Sequence, residues 1–216
     1  MDVRECLGYD HIFEAVAKLI DVYDPTRAVE TQSYLQAMLA LVGCTRWSVD
    51  GCHLSQQTPE GKLDREAYSA KSDFFDKPLS SRASDTIVHH IEQGYAVRDL
   101  IHGGITFDAF GGAINPVHSR DTAFVHRSAL FNAQYLAYWQ EGARSEVEER
   151  CMVWLRGFHQ AMRPHANGGA YVNYIDPELL GWQKAYYGSN YERLARVKAQ
   201  YDPDWVFKLP QGIPPS

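Results

Sequence analysis

Between residues 105 and 139 apolar side chains recur at every second position, whereas on either side of that stretch they recur every third or fourth. A period of two belongs to strands and a period near 3.6 to helices. The switch from one to the other and back restricts the chain to mixed structure. No strand–helix–strand alternation accompanies it, so a parallel sheet is not indicated. The expectation is an α+β fold, an antiparallel sheet with helices packed on one face.

Residues 105–117 and 123–139 read as two strands of a long hairpin, joined by the polar turn His118-Ser119-Arg120-Asp121. Residues 67–75 are extended. Helices are expected at 9–23 (Ile12, Phe13, Val16, Leu19, Ile20 and Tyr23 on one stripe) and after Thr31, with Tyr34, Leu35, Met38, Leu41 and Val42 buried. Ser84 or Asp85 is placed to cap a helix carrying Ile87, Val88 and Ile91. Residues 146–162 give the clearest helix, with Val147, Cys151, Leu155, Phe158 and Met162 in line. Residues 170–175 read as a short aromatic strand, and Ser189-Asn190-Tyr191-Glu192 as a capping box opening a last helix. No repeat or linker divides the chain, and residues 1–216 are expected to form a single domain.

A formal charge of −6 without a Lys/Arg cluster leaves no footprint for nucleic acid, and the longest apolar runs fall well short of the ~20 residues that span a bilayer. The opening MDVRECLGYD has no apolar leader core, so the expectation is a cytoplasmic chain by default. Cys44 and Cys52 flank a loop and could pair in an oxidising compartment, while Cys151 reads as a small core residue. His89 and His90 are neighbours that point apart on a helix, and no ligand spacing joins the histidines and cysteines, so no metal is expected. The glycine pairs at 103–104, 111–112 and 168–169 lack the context of a nucleotide loop.

Two places concentrate chemistry. On the strand ending at Trp139, Phe131, Ala133, Tyr135, Ala137 and Trp139 share one face, and Leu130, Asn132, Gln134, Leu136 and Tyr138 the other. Asn132 and Gln134 are amides on an apolar stripe and need partners, from the fold or from a ligand. The second place is Tyr171-Val172-Asn173-Tyr174. A tyrosine serves as a base near neutrality only if its pKa falls by about 3 units, roughly 4 kcal/mol of phenolate stabilisation.

Tyr171-Val172-Asn173-Tyr174-Ile175-Asp176, Trp182, Tyr186-Tyr187-Gly188-Ser189-Asn190-Tyr191-Glu192-Arg193-Leu194, Val197-Lys198 and Tyr201-Asp202-Pro203-Asp204-Trp205-Val206-Phe207 resemble the C-terminal signature of berberine-bridge-enzyme-like FAD-linked oxidases. Phe110-Gly111-Gly112-Ala113-Ile114, Thr122-Ala123-Phe124-Val125-His126-Arg127 and Gln134-Tyr135 are similar to that family's substrate domain, as, more weakly, is Ser33-Tyr34-Leu35-Gln36. The resemblance implies a substrate-binding domain ending in the family's C-terminal segment at about 168–216, its free sheet face forming a ligand or flavin-covering pocket. It implies Tyr174 as catalytic base, Asn173 and Tyr174 beside FAD, and Tyr171, Asn132, Gln134 and Tyr138 around a small-molecule substrate. Amides stand where some members carry a glutamate, which favours a tyrosine-driven oxidation of an alcohol or activated C–H.

The family's N-terminal flavin-binding domain has no counterpart in these 216 residues, so FAD is expected to be held weakly, if at all. A separate flavin domain or a homodimer is expected to cover the free sheet face, with poor solubility if nothing does. Two other readings stay open: a flavin-free descendant catalysing a cyclisation or isomerisation, and a non-catalytic metabolite-binding module.

Overall fold

The computed structural model describes residues 33–55, 57–63 and 66–216; the helix expected at 9–23 lies outside them. In chain order the elements are α1 (Tyr34–Leu41), β1 (Ala67–Phe75), α2 (Ser81–Tyr95), β2 (His102–Ala109), β3 (Phe131–Trp139), α3 (Ser145–Met162), α4 (Trp182–Tyr187) and α5 (Tyr191–Tyr201). The strands form an antiparallel sheet in the order β1-β3-β2. Helices and antiparallel strands are thus combined as the switch in period predicts.

The alternation on β3 sets the layers. Phe131, Ala133, Tyr135 and Ala137 are fully buried and pack with Cys151, Trp154, Leu155, Phe158 and Met162 of α3 and with Ala83 and Ile87 of α2. Each large side chain removed from water here contributes about 1.5–3 kcal/mol. The close approach of α3 depends on Gly103: a Cβ at that position would stand 2.7 Å from Trp154 Cη2. Trp154 in turn donates its indole N–H to His90 O at 2.8 Å, tying α3 to α2.

One polar cluster lies inside this interface. Asp73, fully buried, accepts from Arg163 Nη1 at 2.7 Å, and its other oxygen stands 3.2 Å from His159 Nε2, at ion-pair distance but off the line of a hydrogen bond. A buried carboxylate is tolerated only with such company. Burial, followed by the charge of Asp73, holds the Tyr135 phenol well above its ordinary pKa.

Several local expectations are corrected. The pairing of β2 with β3 is antiparallel, but residues 110–130 form a long irregular connection in place of a tight hairpin. Its aromatic residues leave the sheet to pack together, Phe110 stacking on Phe124 with ring centroids 5.6 Å apart. The caps of α1 and α2 are Ser33 and Ser80, each accepting from the third following amide; Ser84 and Asp85, expected to cap α2, lie inside it. Tyr34, Leu35, Met38 and Val42, expected to be buried, are exposed. The box expected at Ser189 does not form: α5 opens at Tyr191 with Asn190 in the cap position, and Asn190 directs its amide to the carbonyls of Ser119 and Thr122 at 2.6 and 3.1 Å. Cys44 and Cys52 are joined in a disulfide, and Cys151 is free and buried.

Candidate active site

The sheet face turned away from α2 and α3 is built of cross-strand rows. Tyr68, Tyr138 and His102 form one, Ala70 and Leu136 meet in the next, then come Ser72, Gln134 and Thr106, and last Phe74, Asn132 and Asp108. Small and polar side chains in the middle rows leave this face shallow and partly open. Tyr68 and Tyr138 stack with centroids 5.1 Å apart and stand at its outer end, Tyr68 half exposed.

The opposite end is closed. Phe74 is fully buried, stacked on His126 at 4.0 Å and edge-on to Phe110, Phe124 and Tyr171. Asn132, its neighbour in register, is also fully buried; Nδ2 donates to Asp73 O at 3.0 Å, and Oδ1 has no partner among the described residues. As it stands, this side chain has no surface to offer a ligand. Gln134, one row further out, is only partly buried, and its amide makes no hydrogen bond among the described residues.

The aromatic segment over this face is a turn and not the expected strand: the Tyr174 amide donates to Tyr171 O at 2.9 Å. Tyr171 and Tyr174 therefore do not point to opposite sides. Their rings meet edge to face at 5.1 Å, and Asn173, exposed, donates to the Tyr171 hydroxyl at 2.8 Å. The turn is fastened where the Tyr171 amide donates to Ser72 Oγ at 2.9 Å.

Tyr174 donates its hydroxyl to Asp108 Oδ2 at 2.9 Å. Its pKa is pushed up to about 12, first by burial, then by the bond to and charge of Asp108, with Tyr171 and Tyr68 adding to the rise. The fall that a free-standing phenolate base requires is therefore absent. What the geometry offers instead is a phenol already committed to a carboxylate.

Asp108 and Tyr68 were not among the residues singled out from the sequence. The signal for Asp108 was a lone acid in an alternating apolar strand, on the same face as Thr106. A cleft of about 600 Å³ lined by Asp76, His126, Arg163, Asn167 and Lys184 lies beyond the closed end. It includes none of Gln134, Tyr138, Tyr171 and Tyr174. Most of its polar lining is engaged, Arg163 by Asp73, Asn167 by Asp76 and His126 by Tyr186 O. Among the described residues no cluster of His, Cys, Asp and Glu is arranged to hold a metal, and no helix is long and apolar enough to cross a membrane.

Residues 170–214, which include the turn and both C-terminal helices, match the family model described as berberine and berberine like. The chain belongs to the berberine bridge enzyme-like family. It is 38% identical over 142 residues to the uncharacterized FAD-linked oxidoreductase YgaK of Bacillus subtilis, covering 66% of this chain and 30% of that one. With the reticuline oxidase of Eschscholzia californica it shares 30% identity over 176 residues, 71% of this chain and 31% of that one. A crystal structure of the berberine bridge enzyme from the same plant superposes with a TM-score of 0.72 at 25% identity, covering 94% of this chain and 44% of that one. The chain thus spans about a third of the length of the curated relatives it matches.

These relatives are FAD-linked, and the open face suits the ring end of that cofactor. A flat heteroaromatic system needs apolar surface beneath it and both donors and acceptors at its edge. Ala70, Leu136 and Tyr138 supply the first; Gln134, whose amide is unbonded among the described residues, and Thr106 supply the second.

Proposed function

We propose that this chain is the substrate-facing, C-terminal portion of an FAD-linked oxidase that oxidises an alcohol or activated C–H of a small metabolite. The observation that carries this reading is the Tyr174–Asp108 pair at the edge of a sheet face whose Gln134 amide has no hydrogen-bond partner among the described residues. Gln134, Leu136 and Tyr138, with Asn173 and Tyr174 beside them, would hold the ring of FAD, and a separate flavin-binding domain would carry the rest of the cofactor. When bound, FAD supplies a two-electron acceptor that no side chain can replace.

The protein's own part is to orient the substrate and move a proton. A substrate hydroxyl held at Tyr174 Oη gives up its proton to that oxygen as the phenol's own proton passes to Asp108 Oδ2. Such a relay never requires a free phenolate, so the raised pKa of Tyr174 is no obstacle to it. The stacked Tyr68 and Tyr138 wall the outer end of the site.

The test is the flavin fluorescence and absorbance of the purified chain as FAD is added. Saturable quenching that Gln134→Ala and Tyr138→Ala both weaken is expected, with no flavin retained after desalting. A folded chain that ignores FAD overturns the reading for this chain. Turnover of a metabolite without FAD points instead to non-redox chemistry.

A further inference from the structure

We infer that Lys71 and Ser72, neighbours on β1, form a two-sided clamp that holds the Tyr171–Tyr174 turn over Asp108, with Lys71 as a positioning residue that never touches substrate. This rests on the reading of Tyr174 given above. Residues 167–176 run along the outer edge of β1. Asn167 N–H donates to Phe74 O at 2.9 Å, and Phe74 N–H to Gly169 O at 3.2 Å. The Tyr171 amide then reaches Ser72 Oγ at 2.9 Å, and Lys71 Nζ reaches both oxygens of Asp176 at 3.0 and 2.9 Å. Successive strand residues point to opposite faces. Ser72 lies on the open face with Gln134, and Lys71 on the helix face with Tyr135. The turn is therefore pinned at one end on each side of the strand.

Asp176 is a fixed post. Its amide donates to Tyr186 Oη at 3.0 Å, its carbonyl accepts from Gln211 Nε2 at 2.7 Å, and its carboxylate accepts from the Glu178 amide at 3.0 Å. Glu178 accepts from Lys71 as well and is bonded to Arg156 of α3 at 2.6 Å. Both members of the Lys71–Asp176 pair are buried, at 6% and 8% side-chain exposure. A buried ion pair contributes little net stability compared with apolar residues of the same size. What it does fix is geometry, and here the geometry is that of a turn whose catalytic hydroxyl is two residues upstream. Between Ser72 and Asp176 the hydroxyl of Tyr174 on Asp108 is the remaining side-chain hydrogen bond from the turn to the rest of the chain among the described residues.

The experiment is NMR of the full chain with 13C at tyrosine Cζ, the Tyr174 signal being the one lost in Tyr174→Phe. Ionisation is read at pH 11 in the unaltered chain, in Lys71→Met and Lys71→Arg, and in Leu155→Ala as a core-destabilised control. With a pKa of about 12, Tyr174 stays mostly neutral at that pH in the unaltered chain. Lys71→Met is expected to return it toward the ordinary ~10, raising the ionised-to-neutral ratio by about 100-fold. Lys71→Arg restores the high value, and Leu155→Ala leaves it in place. Should Lys71→Met fail to fold, Asp176→Asn keeps the shape and leaves Glu178 as a partner for Lys71, and the same rise is expected. An ordinary Tyr174 in the unaltered chain overturns the Tyr174–Asp108 reading and this inference together. A high value that survives Lys71→Met, or Asp176→Asn where that variant stands in, overturns the inference alone.

Discussion

The two faces of one sheet were built under different rules. On the helix side Phe131, Ala133, Tyr135 and Ala137 are fully buried beneath α3, and even the buried Asp73 is held between Arg163 and His159. On the other side the same strand presents Gln134, Leu136 and Tyr138 only partly covered, with one end closed by the Phe74 cluster and the turn of Tyr171 and Tyr174. A fold needs just one sealed face for stability. An apolar-polar face left open on the second side is the mark of a surface that meets something else.

The largest expected difference between the faces is in stability. Phe158→Ala empties a fully buried site on the sealed side and should cost about 3–5 kcal/mol in chemical denaturation. Gly103→Ala tests the same face by overfilling: its Cβ would press on Trp154 and on Leu100 Cδ2, the latter at 2.8 Å, for about 1–3 kcal/mol. Should either variant unfold no more easily than the parent, the sealed face is not the core.

A smaller effect belongs to the border of the open face. The folded chain holds the Tyr174 proton more tightly than the unfolded one, about 12 against 10.0. The stability this adds is full below pH ~10 and is lost as pH rises toward ~12. Tyr174→Phe should therefore lower stability modestly at neutral pH, where the bond to Asp108 is lost, and flatten the decline over that alkaline window. An unaltered alkaline slope would detach Tyr174 from Asp108. The smallest effect is at Gln134, where replacement by alanine should change stability by no more than ~0.5 kcal/mol, since the amide has no hydrogen-bond partner to lose among the described residues. A loss of several kcal/mol there would mean that the face is core after all.

Much of this contrast was legible in the sequence, because period-two alternation assigns each β3 residue to a side without knowledge of its neighbours. Phe131, Ala133, Tyr135 and Ala137 fell on the buried side and Gln134 and Tyr138 on the open one for that reason. What alternation misreads is a segment shaped by contacts distant in sequence. Residues 110–117 and 123–130 read as alternating, yet Phe110 and Phe124 gather around Phe74 instead of pairing as strands. The Tyr171 segment also alternates, but its amide is taken by Ser72, 99 residues away, and it turns. Ser189-Asn190-Tyr191-Glu192 has the composition of a capping box, but the cap position falls to Asn190, whose amide is captured by two loop carbonyls. Asp108 escaped notice because its partner, Tyr174, lies 66 residues further along the chain.

The account's central claim is that the open face, and not the sealed one, receives the flavin ring. The most direct measurement is an NMR titration of the chain with FAD, following the side-chain amide of Gln134 and the rings of Tyr68, Tyr138 and Tyr174 against those of Phe131 and Phe158. The account predicts saturable shifts at the first group and none at the second. Shifts confined to other surfaces, or none at the highest soluble FAD concentration, would contradict it.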